Sequence, residues 1–275
     1  MRLILLTILT MCAFAANSLL TRAAVEGGHI APAAFAVLRV AAGAAMLGGI
    51  ALLRGTSLPL FRAERIIGVV SLTAYMAGFS LAYLTLDAGL GALILFGVTQ
   101  IAMFAYGTYT GQASTTRQVI GAAVAFGGLA LVLWPSGGGA VDMSGALLMC
   151  IAGLGWAAYT IAGRGASDPL ATTGANFIFC LPLLALLLLQ RGVEADGRGI
   201  FLALICGALT SSLGYALWYS VLGQMRSSTA AVVQLSVPVI AILSGAVLLG
   251  EAATPVIMIA AALVVGGIGW SVTVK

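Results

Sequence analysis

The chain has 275 residues, 61% of them hydrophobic and only 7% charged, with a mean hydropathy of +1.14 and a formal net charge of +4. Soluble domains carry about 25% charged residues, so this composition cannot furnish a water-facing surface and excludes a soluble globular protein. The basic residues are scattered over short loops, which leaves no patch for nucleic acid.

The first stretch, MRLILLTILTMCAFAANSLL, has the basic start and apolar run of a secretory leader. The run continues with no soluble domain behind it, so it reads as a first membrane span. A spanning helix needs about 20 mostly apolar residues. On that criterion the spans are 3–21, 33–53, 66–86, 90–110, 118–134, 145–163, 171–190, 199–221, 229–249 and 254–273. Glycine, proline and polar residues mark the joints, among them GQASTTRQ at 111–118 and PSGGGAVD at 135–142. Spans three and four meet tightly around Asp87–Gly91. Cys12, Cys150, Cys180 and Cys206 lie in apolar stretches without metal-like spacing and read as packing residues.

With this set of spans, alternate loops share a side of the membrane. One side holds Arg2, Arg54, Arg62, Arg65, Arg117, Arg164, Arg226 and Lys275, and the other holds Arg22, Arg191 and Arg198. The positive-inside bias therefore places both termini in the cytoplasm.

The chain divides at the glycines 137–139 into residues 1–135 and 143–275, and the halves are weakly alike. AFAANSLLTR at 13–22 resembles GWAAYTIAGR at 155–164. Pro32 opens span two and Pro169 precedes span seven. Seven residues beyond each proline stands a polar group, Arg39 in one half and Asn176 in the other. An odd number of spans per half inverts the second copy, the plan of many transporters.

These stretches, with TAAVVQLSVPVIAILSGAVLLGE (229–251) and the closing helix GGIGWSV, resemble the drug/metabolite transporter superfamily, in particular ten-helix proteins with two EamA-type repeats. The corresponding first-half stretch, GALILFGVTQIAMFAYGTYTGQ, departs from the pattern: Gln100 stands where the proline would be, and no glutamate closes it at Gly111–Gln112. Within the superfamily the chain is most similar to bacterial exporters of aromatic and other neutral amino acids. The resemblance implies an all-α integral membrane protein. Its ten transmembrane helices would form two inverted five-helix repeats around a central cavity in the bacterial inner membrane, with helices five and ten peripheral.

Candidate cavity residues follow from position. Tyr75, Phe79 and Tyr83 recur at four-residue steps on one face of span three. Trp156 and Tyr159 are three apart, and Tyr215 and Trp218 cluster in span eight with Tyr219. Such rings could stack on a substrate or sit at the bilayer interface. Asn17, Gln100, Asn176 and Gln234 place amides at depth, where they could bind a zwitterion or join helices. Pro238 should kink span nine, and Gly97, with Gly107 and Gly111, permits close helix contact or sliding. Arg39 lies about 10 Å below Pro32. From there it could snorkel outward or bind a substrate carboxylate.

No catalytic constellation, cofactor motif or metal cluster stands out, which argues against an enzyme. Glu26, Glu64, Asp142, Asp168, Glu194 and Asp196 fall in loops, and Asp87 and Glu251 at helix ends. The sole histidine, His29, is also in a loop. A carrier driven by protons or sodium usually holds a carboxylate at depth. The expectation is therefore a monomeric uniporter in the lipid bilayer that exports neutral and aromatic amino acids or similar small metabolites. The alternative is a proton-coupled exporter of small amphipathic drugs or other metabolites.

Overall fold

The computed structural model describes residues 1–60, 65–110, 115–133, 141–164, 166–189, 193–224, 230 and 233–272. Arg62, Arg191, Arg226 and Lys275 of the orientation argument lie outside these residues, as does the loop carboxylate Glu64. So do Gly111, Gln112, the glycines 137–139 and parts of the segments 135–142 and 229–249.

Helices account for nearly all the described secondary structure. They are α1 (Arg2–Val25), α2 (Pro32–Leu53), α3 (Arg65–Ala82), α4 (Ala88–Tyr109), α5 (Thr116–Leu133) and α6 (Met143–Gly163). Then come α7 (Pro169–Ala185, prolonged by a 3-10 turn Leu186–Leu189), α8 (Gly197–Leu222), α9 (Ser236–Leu248) and α10 (Pro255–Val272). Seven of these, α1–α4 and α6–α8, are long and apolar enough to cross a membrane; α5, α9 and α10 contain shorter apolar stretches. Large apolar side chains such as Ile8, Leu9, Ile66, Ile67, Phe126 and Leu243 are exposed, as a lipid-facing surface requires.

Local chemistry sets the helix starts. Pro32 and Pro169 occupy the first turns of α2 and α7, where a missing N–H costs nothing. Asp142, Asp168 and Asp196 cap α6, α7 and α8 by accepting from the backbone N–H of Gly145, Ala171 and Gly199 at 2.9, 3.0 and 2.8 Å. Asp87 stands at the cap position of α4, yet its side chain makes no capping bond there. Glu251 accepts from the N–H of Ala88 at 2.7 Å instead.

The helices pack in pairs. α2 lies on α7, α4 on α9, and α5 on α10; α1 contacts α8 and α9, while α6 contacts α3 and α4. A close crossing joins α2 to α8. A Cβ on Gly207 would overlap the carbonyl oxygen of Arg39 and stand 2.8 Å from its carbonyl carbon, and a Cβ on Gly43 would stand 3.2 Å from the Gly207 carbonyl oxygen. This contact coincides with a π-helical segment, Cys206–Leu213, in the middle of α8. Such wide turns disrupt the regular helical bonding and often mark functional positions.

One end of the bundle is sealed by polar links between elements. Arg22 at the end of α1 pairs with Asp87 at 3.1 Å and lies 3.7 Å from Glu251. Thr85 donates to Asp142 at 2.8 Å. His29 meets Asp196 at 2.7 Å, and Ile30 forms an antiparallel bridge with Ala195. The opposite end is cleft. One cavity of about 450 Å³ is lined by Arg65, Gly68, Asp168, Asn176 and Tyr219. A second, of about 660 Å³, is lined by Arg2, Ile50, Arg54, Asp168 and Gln224 among others.

Candidate functional site

Arg39 is fully buried at the centre of the bundle. Its Nε donates to Ser211 Oγ at 2.7 Å, and its Nη2 donates to the hydroxyls of Tyr215 at 2.8 Å and Tyr75 at 3.3 Å. The guanidinium carbon lies 4.8 Å from the Phe79 ring centroid and 5.7 Å from that of Tyr75, within cation–π range. Nη1 has no hydrogen-bond partner. The snorkelling alternative is thereby excluded. Polar groups on α3 and α8 draw the side chain inward, and Tyr215 also donates to Tyr75 at 2.9 Å, tying the two phenols together.

Asn17 belongs to the same network. Its Oδ1 accepts from Thr210 Oγ1 at 2.7 Å, Ser211 Oγ at 2.9 Å and Cys206 Sγ at 3.3 Å. Its Nδ2 donates to the Thr210 carbonyl at 3.3 Å. Every one of these partners lies in the π-helical segment of α8. Asn17, Ser211, Arg39, Tyr215 and Tyr75 thus form one continuous buried chain of hydrogen bonds across α1, α8, α2 and α3.

Aromatic rings enclose this chain. Trp156 lies 4.8 Å from Tyr215 and 5.2 Å from both Tyr75 and Phe14. Phe79 links Tyr75 at 5.2 Å to Tyr83 at 4.7 Å, so the four-residue spacing on α3 does produce a row of rings. Phe14, Asn17, Ser18, Tyr75, Phe79, Leu95, Phe96, Trp156 and Tyr215 border a central space of about 10 Å³. That is room for roughly one water, so any larger guest requires these rings to part.

The remaining sequence-predicted residues fall in different places. Tyr83 is buried just past α3, beneath the sealed end, where its carbonyl accepts from Arg22 at 3.2 Å. Tyr159 and Tyr219 stack at 5.3 Å, and Trp218 packs edge-on to Phe14 at 5.8 Å, with its Nε1 buried and unpartnered. Gln100 is buried on α4, but it lies about 6 Å along the helix from Phe96, the nearest cavity residue of that helix. Gly97 faces α5, where an added Cβ would stand 2.9 Å from Leu129, so it serves packing rather than the cavity. Pro238 sits in the first turn of α9, after helical residues 233–234 and an interruption at Leu235, which itself keeps right-handed helical dihedrals. The break falls in the turn before the proline, where the missing N–H and the ring clash disrupt helical bonding. Of the other amides, Asn176 accepts from Arg65 Nη1 at 3.1 Å in the cleft end, and Gln234 accepts from Trp156 Nε1 at 3.3 Å.

Seven acidic residues are described, and none lies within a helix. Glu251, in the sealed end, is raised above its ordinary value, first by burial and then by Asp87; the Ala88 and Gly89 N–H groups and Arg22 pull the other way. Among the described residues no group of His, Cys, Asp or Glu could hold a metal ion. The sequence reading missed Phe14, Thr210 and Ser211 and assigned Cys206 to packing. The polar run TSS inside an apolar helix was the available signal for two of them.

A bundle of exposed apolar helices, sealed at one end, cleft at the other and carrying a buried cation between, defines a membrane transport protein. The profile of the EamA-like transporter family matches residues 143–273. An uncharacterized protein of Pseudomonas aeruginosa is 45% identical over 97% of this chain and 93% of its own length. A "probable amino-acid metabolite efflux pump" of Salmonella typhimurium is 28% identical over 66% of this chain and 67% of its own. An "uncharacterized transporter" of Archaeoglobus fulgidus is 24% identical over 68% and 69%. One solved crystal structure superposes with a TM-score of 0.71 at 20% identity, covering 98% of this chain and 99% of that one, and so shares the fold. The chain belongs to the EamA-like transporter family, within the drug/metabolite transporter superfamily.

Proposed function

We propose that this membrane transporter exports neutral and aromatic amino acids, or similar small metabolites, by alternating access and as a uniporter. The observation that carries the reading is Arg39. It is a fully buried guanidinium with an unpartnered nitrogen, beside the rings of Tyr75, Phe79 and Tyr215, between a sealed end and a cleft end. A carboxylate is the natural complement of such a group, and the rings suit an apolar side chain.

The reading includes ten transmembrane helices in two inverted repeats, 1–135 and 143–275. The packing supports it: exchanging each helix of α1–α5 with the one five places further on leaves the main contact pattern unchanged. α1 on α8 maps onto α6 on α3, α1 on α9 onto α6 on α4, and α2 on α7 onto itself. Two similar halves can rock about a central site and open it to each side in turn. The basic loops assign the cleft end and both termini to the cytoplasm of a bacterial inner membrane, the sealed end facing outward. A monomer suffices for this mechanism.

Uniport rests on the described carboxylates lying outside the helices. Glu251 favours the second reading, proton-coupled export of small amphipathic drugs or other metabolites, because burial raises its carboxyl beside Arg22 and Asp87 at the outer seal. Flux of labelled threonine, methionine and aromatic amino acids in proteoliposomes, with and without a pH gradient, tests both. Movement down each substrate's own gradient is expected without a pH gradient. If none of these moves, the amino-acid reading fails; a strict requirement for the pH gradient removes uniport.

A further inference from the structure

The geometry points to a narrower cargo: an organic monocarboxylate without a free amine, carrying an aromatic or branched apolar body, whose export moves one negative charge outward. This rests on the reading of the chain as a carrier with a central site at Arg39, and among the small metabolites of that reading it favours amine-free carboxylates over amino acids.

Charge balance comes first. All the hydrogen-bonding partners of Arg39, namely Ser211, Tyr75 and Tyr215, are neutral, and Phe79 adds only its ring face. No described carboxylate lies inside a helix to neutralise it. An unpaired buried cation is costly, and Nη1 still lacks a partner. A carboxylate guest supplies both the missing charge and the missing acceptor.

The ammonium of a zwitterion finds the reverse situation. Asn17 Oδ1 already accepts three hydrogen bonds, from Thr210, Ser211 and Cys206. The Tyr75 hydroxyl accepts from both Arg39 and Tyr215, and Gln234 Oε1 accepts from Trp156. Trp218 Nε1, buried without a partner, adds a donor and not an acceptor. The amide oxygens and the Tyr75 hydroxyl at the centre are therefore already engaged, the hydroxyls of Ser80, Tyr159 and Thr160 that lack partners do not border the central space, and Arg39 repels a second cation. A phosphate dianion fits no better, because one guanidinium balances one charge.

The approach path has the same sign. Arg65 borders one cleft, and Arg2 and Arg54 border the other. Asp168 touches both, but its carboxylate is engaged in capping α7. Basic mouths concentrate anions. An exported anion also needs no coupled proton. An inside-negative potential of about 100 mV drives one negative charge outward by roughly fiftyfold in equilibrium ratio, which agrees with the lack of described carboxylates within the helices.

Three compounds that share a phenyl ring and an ethylene spacer isolate the charge: 3-phenylpropanoate, phenylalanine and phenethylamine. Their efflux is measured from proteoliposomes of the full chain, with protein-free vesicles subtracted and potentials set by potassium and valinomycin. We expect 3-phenylpropanoate to leave at least about tenfold faster than phenylalanine, phenethylamine not to move, and an inside-negative potential to accelerate only the carboxylate. Phenylalanine moving as fast or faster overturns the inference and leaves amino-acid export standing. Failure of all three to move overturns both. Carboxylate flux that ignores the potential overturns its electrogenic part. Arg39→Gln should abolish the preference. Because that variant also opens a core hydrogen-bond network, Asn17→Asp supplies an independent gain-of-function arm: the new carboxylate should shift preference toward phenylalanine, and an unchanged ranking counts against the inference.

Discussion

Replacing Gly207 by alanine tests the crossing on which the site is built. The added methyl would overlap the Arg39 carbonyl oxygen, 2.8 Å from the Arg39 carbonyl carbon and 2.9 Å from Ala42 Cβ. Two of these obstacles are backbone atoms of α2, which no rotamer change can remove. The helices must part instead, and overpacking that shifts backbone costs about 1–3 kcal/mol. The parting should also pull Arg39 from Ser211 and Tyr215, since α8 carries both hydroxyls. Gly49→Ala on α2 is the control, because nothing lies within 4 Å of its added methyl. Relieving glycine's helix penalty there should be neutral or stabilising by up to about 1 kcal/mol. The assay is the fraction of each variant that survives heating in detergent as a monodisperse species, together with binding or flux. Gly207→Ala should melt well below wild type and lose transport. If its melting matches that of Gly49→Ala, the α2–α8 contact is not as close as described.

Tyr215→Phe keeps the ring but removes an acceptor from the buried guanidinium. A hydrogen bond to a charged group is worth about 1.5–3 kcal/mol, so unfolding should register a loss of about 2 kcal/mol, larger than that of Tyr75→Phe, whose bond is longer. Equal effects would contradict the geometry. Arg22→Gln should loosen the sealed end by about 1 kcal/mol, a discounted figure because Asp87 is partly exposed. Spin labels at positions 84 and 253 should then show a longer or broader distance, and an unchanged distribution counts against the seal. Asp142 accepts from Ser144, Thr85 and Gly145, which hold its carboxyl down at about 2. Its stabilising link is fully present above its ordinary value of 3.8 and is lost as pH falls through about 2. A carboxyl chemical-shift titration with its midpoint in the ordinary range would show that the Thr85 bond is not made.

Composition and short-range pattern already set the helical architecture. Too few charges for a water surface, apolar runs of spanning length, Pro32 and Pro169 opening α2 and α7, and aspartates at helix caps are all local facts, and helix formation obeys local rules. The row Tyr75, Phe79 and Tyr83 was legible for the same reason, since a four-residue step keeps side chains on one face. The depth of Arg39 along α2 followed from helical rise. Its direction did not. Ser211 and Tyr215, which draw it inward, stand 172 and 176 residues away in the chain. Periodicity states which face a residue occupies but not which helix will cover that face. The close approach of α2 to the π-helical segment of α8 and the packing of Gly97 against Leu129 likewise depend on other helices, whereas the break before Pro238 has a local cause in the proline itself. So does the seal, where Arg22 must meet Asp87 and Glu251, which are remote in sequence. These features depend on how the helices cross. Close backbone approach at Gly43 and Gly207 decides that crossing in three dimensions, and it brought the buried cation, its hydroxyl partners and the aromatic shell to one place.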